Sequence, residues 1–165
     1  MVQRVTGERP SEGSRKSAGR LAVLGVDRRF LVEWDVWVAA VRPGNPHHAG
    51  CRALVADLLG GRRPGEAAVT DVVLVRAAAE LEREPDRSHA EVGRYVEAIS
   101  THVEVVSVTA ERLRAAAVLS GLMGMELHAC CTMKVALDMG IPTIYSTCLV
   151  GRRVPGVSVA QPGSE

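Results

Sequence analysis

The chain has 165 residues, 47% of them hydrophobic but only 3% aromatic, and a formal net charge of +1. That length suffices for one domain with a proper core. With so few rings, the core must be built from Val, Leu, Ala and Ile, which suits buried parallel strands and close-packed helices. The balanced charge excludes a global field for nucleic acid or membrane, and with no run of 18 apolar residues no membrane span is expected.

Residues 1–20 are rich in Gly, Ser, Arg and Glu without periodicity, which predicts a disordered arm ahead of a domain over 21–165. The arm carries five basic and two acidic residues. A solvated tail is the expected reading, with a weak nucleic-acid contact as its alternative. The N-terminus lacks the charged and apolar regions of a secretory leader. Cys51, Cys130, Cys131 and Cys148 show no CxxC spacing, so free thiols in a reducing cytoplasm are expected.

From Phe30, FLVEWDVWVAAV (30–41) reads as a strand running into a helix, with Asp35 at the junction. PGNPHH is a break, and 49–61 a helix ended by glycines. The apolar run 67–71 leads a helix over 72–84, stopped by Pro85. Val92, Tyr95, Val96 and Ile99 form a helical stripe within 86–100, and the alternation in HVEVVSV predicts a strand over 102–108. Thr109 is the expected N-cap of a helix over 110–122, with Glu111 in its first turn. A helix over 126–139 ends at Gly140, followed by a strand over 141–146 and a short last one over 156–159. Strands alternating with helices predict an α/β, three-layer α/β/α domain with a mainly parallel sheet.

Ligands of such sheets collect at the carboxyl ends of the strands. Asp35, Thr70, Asp71, Thr109, Ser146, Thr147 and Cys148 fall there. Asp35 lies inside a long apolar stretch, so its carboxylate must be solvated in a cleft, hydrogen-bonded or bound to a cation. A helix N-cap and a site residue are both open readings for it. Trp34 and Trp37 bracket it, and packing in a core or dimer interface is favoured over stacking on single-stranded RNA as their role. His47 and His48 follow Pro46 as histidines of a loop or helix start.

The order of pieces resembles the PIN domain, the nuclease fold of many type II toxin–antitoxin toxins and RNA-processing factors. The matching parts are VEWDVWVAAV, the PGNPHH break, the run with Thr70, VEVVSVTAERLRAAAVLSG, ALDMGIPTIYST and RRVPGVSV, over about residues 29–160. The resemblance implies a PIN-like fold and a cluster of three or four carboxylates around Mg²⁺ or Mn²⁺, where a metal-held water attacks an RNA phosphodiester. Carried over, the first acid matches Asp35. The second, seven residues after Thr70, falls on Ala77. The third, eleven before Gly140, falls on Ala129, and the fourth, after Ser146-Thr147, on Cys148. Three of the four positions are not acidic.

Glu80, one helical turn beyond Ala77, is the candidate substitute; Asp138 lies two and a half turns from Ala129 and points elsewhere. Asp71 is most simply a cap or first-turn acid. The expected site is therefore Asp35 as metal ligand and catalytic residue with Glu80, in a cleft lined by Thr70, Asp71, Ala77, Ala129, Ser146, Thr147 and Cys148. The function expected is a PIN-like RNA-associated or assembly module with impaired or absent catalysis. One alternative is a divalent-metal-dependent ribonuclease of the toxin type using Asp35 and Glu80. A second is a zinc-binding domain through His128, Cys130, Cys131 and Cys148, although buried inert cysteines are favoured over it. The resemblance also implies an antitoxin-like protein or a second copy of the chain as partner.

Overall fold

The computed structural model describes residues 29–63 and 66–164. The arm over 1–20, the domain's expected start at 21 and the residues up to 28 lie outside the described residues. Five strands, β1 (Phe30–Val32), β2 (Ala67–Thr70), β3 (Glu104–Val106), β4 (Thr143–Tyr145) and β5 (Ser158–Ala160), form one sheet in the order β3-β2-β1-β4-β5. Every strand pairing in it is parallel.

Strand alternation divides the core into two layers. Phe30, Val32, Ala67, Val69 and Tyr145 face one hydrophobic cluster, while Leu31, Ala68 and Ile144 face the other. The first cluster is closed by α1 (Trp34–Ala39), α2 (His48–Leu59), α3 (Asp71–Leu81) and α4 (His89–His102). The second is closed by α5 (Ala110–Met123) and α6 (Leu127–Met139), which pack on each other. This is the three-layer α/β/α architecture with a parallel sheet that the alternation of elements predicts.

Local chemistry fixes the helix ends. The Thr70 hydroxyl accepts from Val73 N at 3.2 Å and caps α3, and Thr109 does the same for α5 through Arg112 N at 3.2 Å. Ser88 and Glu91 make a full capping box at the start of α4. Gly140, at φ 63°, ends α6 in the left-handed conformation that a side chain rarely adopts, so the chain turns back into β4. Some expected boundaries shift. The helix expected within 86–100 starts at His89, where the capping box sets it, and runs on to His102, so the strand expected over 102–108 shrinks to Glu104–Val106. β5 pairs one residue further along than expected, since Tyr145 meets Ala160 in its register.

Candidate functional site

The carboxyl ends of β1 and β4 lie side by side: Glu33 N donates to Tyr145 O at 3.0 Å just past both strands. From this junction two carboxylates leave in different directions. Glu33 still follows the strand alternation and falls on the Leu31 face, toward α6. Asp35 is already in the first turn of α1.

Asp35 is 5% exposed and fully engaged. Its Oδ2 accepts from Ser146 Oγ (2.8 Å), Thr147 N (2.6 Å), Thr147 Oγ1 (2.9 Å) and Cys148 N (2.6 Å), and its Oδ1 accepts from Val36 N (2.9 Å). Four of the five donors crowd onto Oδ2. Asp35 therefore clamps the loop after β4 onto the start of α1.

Glu33 is 1% exposed, and its Oε1 has no hydrogen-bond partner among the described residues. Burial pushes its carboxyl up to about 8; the Thr132 hydroxyl pulls the other way, and the nearby charges of Asp35 and Glu126 add to the rise. That direction favours the neutral carboxyl. Beside it, His128 Nε2 stands 3.3 Å from Glu126 Oε2 and 3.9 Å from Glu33 Oε2. Burial lowers the His128 pKa below the usual imidazole value, against the pull of Glu126. The ring meets Trp34 edge-on, centroids 6.1 Å apart, and the Arg76 guanidinium lies over the Trp34 ring at 4.8 Å.

These groups border a cleft of about 490 Å³ whose lining includes Glu33, Trp34, Arg76, Glu126, His128 and Arg152. Of the residues expected from the sequence, Ala129, Ser146 and Cys148 also line it. Thr147 serves Asp35, and Thr70 caps α3. Asp71 accepts from Val72 N and Val108 N, tying the loop after β3 to α3. Ala77 is buried in the first core cluster, and the neighbouring side chain that enters the cleft is Arg76. Glu80 accepts from Arg83 Nη1 at 2.8 Å and lies 3.8 Å from Arg76, outside the cleft. Trp37 is core, while half-buried Trp34 belongs to the cleft.

The four residues of the zinc alternative do not converge. Cys130 and Cys131 are wholly buried in the second core cluster, whereas His128 and Cys148 border the cleft. Burial raises the pKa of Cys130, Cys131 and Cys148, which disfavours the thiolate that metal binding or nucleophilic attack needs. A divalent cation fits the cleft no better. Among the described residues no three His, Cys, Asp or Glu side chains could together hold a metal ion. Asp35 Oδ2 already takes four protein donors, burial favours the neutral form of Glu33, and Arg76 brings a positive charge.

The residues that sequence reasoning passed over are Glu33 and Arg76. The signal for Glu33 was present: it is as isolated among apolar residues as Asp35, and only strand register separates the two. Arg76 lies one residue, about 100° of helix, from the position expected to face the cleft.

The fold defined by the sheet order and the two helical layers is PIN-like. No family model matches the chain, and no curated protein matches it. Solved structures do. The chain is similar to Mycobacterium tuberculosis VapC20, a sarcin-ricin loop cleaving toxin, at a TM-score of 0.58 and 22% identity, covering 70% of this chain and 86% of that one. It is similar to Rickettsia felis VapBC2 bound to a promoter DNA fragment, at a TM-score of 0.58 and 12% identity over 81% of this chain and 98% of the other. A toxin–antitoxin complex from Klebsiella pneumoniae matches at a TM-score of 0.52 and 14% identity over 78% and 94%. At these identities the likeness is one of fold.

Proposed function

We propose that this chain is a PIN-fold module that associates with RNA or with a protein partner and does not run metal-dependent cleavage. The observation that carries this reading is that among the described residues no three His, Cys, Asp or Glu side chains could together hold a metal ion, with Asp35 Oδ2 taken by four protein donors and the Arg76 guanidinium in the cleft, where a Mg²⁺ or Mn²⁺ site needs several carboxylates. The partner is an antitoxin-like protein or a second copy of the chain. Two of the similar structures are complexes of that kind, which supports the antitoxin-like form. On α5, Val118 (63% exposed) and Leu122 (78%) stand one turn apart on the same face, apolar surface suited to a protein contact. Among the described residues no single helix is long and apolar enough to cross a membrane. Four free cysteines support a reducing, cytoplasmic setting.

The fold alone favours a second reading, a Mn²⁺- or Mg²⁺-dependent ribonuclease acting through Asp35 and Glu80. The test incubates the full chain with single-stranded RNA and Mn²⁺ beside the Asp35→Asn variant. The module reading expects no metal-dependent cleavage by either protein. Cleavage that requires Mn²⁺ and disappears in the variant would overturn it.

A further inference from the structure

The residues that follow β5 lie on α2. Pro162 is buried there, and the backbone of Pro162 and Gly163 runs against Gly50 in the first turn of the helix. The approach leaves no room for a side chain. A Cβ on Gly50 would collide with the Pro162 carbonyl oxygen and stand 3.2 Å from Gly163 Cα, and one on Gly163 would stand 3.0 Å from Gly50 Cα. Beside this contact, Gln161 Nε2 lies 3.1 Å from His47 Nδ1, just ahead of the helix. The Ser164 hydroxyl donates to Gln161 O at 2.7 Å and closes the segment on itself. Residues 161–164 form a short strap.

The near end of the strap reaches the Asp35 clamp. Ala160, the residue before it, accepts from Ser146 N at 3.0 Å. Ser146 Oγ donates to Asp35 Oδ2 at 2.8 Å and accepts from Leu149 N at 3.0 Å, while Thr147 N and Cys148 N reach the same carboxylate oxygen at 2.6 Å. Ser146, Cys148 and Leu149 line the cleft. Consecutive hydrogen bonds thus run from a seat on α2 to one wall of the cleft.

The seat itself is slight. A cavity of about 170 Å³, bordered by Gly50, Leu54, Tyr145, Pro162 and Gly163, lies between the strap and the helix. The strap therefore rests on a glycine contact and one side-chain contact, not along a filled interface. Segments with so few packed apolar contacts open at low cost while the core stays folded.

We propose that the strap over residues 161–164 is a positioning device for the cleft. Seated on α2, it holds the Ser146–Leu149 loop against Asp35; lifted from α2, it frees that loop while the sheet stays folded. Competition for the seat beside His47 and Gly50 is then the route by which this wall of the cleft is loosened.

The test follows amide hydrogen exchange by NMR in the full-length protein and two variants. The reporters are the N–H groups of Ser146, Thr147 and Cys148, and the paired amides of β1 and β2 are the reference for the fold as a whole. Gly50→Ala puts a methyl group where the Pro162 carbonyl lies. Alanine also favours a helix over glycine, so a loss of protection would not come from a weaker α2. The expected result is exchange at all three reporters faster than in the wild type by about tenfold or more, with the reference amides unchanged. Gln161→Ala removes only the contact with His47 and should give about threefold at the same amides.

Reporters unchanged in the folded variants would overturn the proposal, as would a change confined to Ser146. A rise shared equally with the reference amides would do the same, because the strap would then support the whole fold and not the cleft wall. Should Gly50→Ala fail to fold, Gln161→Ala decides by the same outcomes.

Discussion

Glu33 and Asp35 are two carboxylates separated by one residue at the end of the same strand, and their fates are opposite. Asp35 receives five hydrogen bonds and holds two segments together. Glu33 is buried more deeply and keeps one oxygen without a partner, and its burial favours the neutral carboxyl. The difference comes from where the strand stops. Residue 33 still obeys the two-residue period and points toward α6, while residue 35 belongs to the first turn of α1 and meets the backbone N–H groups that follow β4. Two acids at one strand end thus differ in the donors delivered to them, not in burial.

The largest expected effect comes from breaking the satisfied member. Asp35→Ala should cost about 3 kcal/mol or more in chemical denaturation, because Ser146, Thr147 and Cys148 would each be left with a donor seeking an acceptor in a buried place. Stability equal to wild type would mean that the clamp is not needed.

Glu33 supplies the next effect, and its sign differs from that of an ion-paired acid. A carboxyl at about 8 in the folded state and about 4.5 in the unfolded chain binds more protons when folded between those values. Wild-type stability should thus fall as pH rises from about 4.5 to about 8 and level off above. Glu33→Gln cannot ionise and should lack this slope, ending more stable than wild type at alkaline pH by on the order of 2 kcal/mol. Parallel pH profiles for the two proteins would show that Glu33 is ionised in the fold.

The smallest effect separates the donors of the clamp. Ser146→Ala removes one of the five and should cost about 1 kcal/mol, since the Thr147 hydroxyl and the backbone N–H groups of Val36, Thr147 and Cys148 still hold Asp35. A loss as large as that of Asp35→Ala would place the whole clamp on one hydroxyl.

The fold was legible in the sequence because its signals are local and repeated. The strands FLV, AAVT and TIY, Thr109 as a cap, and Gly140 as the helix end stand where the pattern put them, whereas Thr70, expected at the cleft, caps α3. The site was legible only in part. Ala129, Ser146 and Cys148 were expected at the cleft and line it, because the α6–Gly140–β4 unit fixes their positions. Arg76 was missed because a one-residue slip along α3 exchanges a core position for a cleft position. Glu33 was missed because the change from a period of 2 to one of 3.6 falls between it and Asp35. The sequence does not mark where that change occurs.

The most direct measurement is calorimetric titration of the full-length protein with Mn²⁺ near neutral pH. With no three ligating side chains converging among the described residues, Asp35 Oδ2 taken by four donors and Arg76 in the cleft, no saturable one-to-one binding is predicted. A one-site Mn²⁺ isotherm that vanishes in Asp35→Asn or Glu33→Gln would contradict the account.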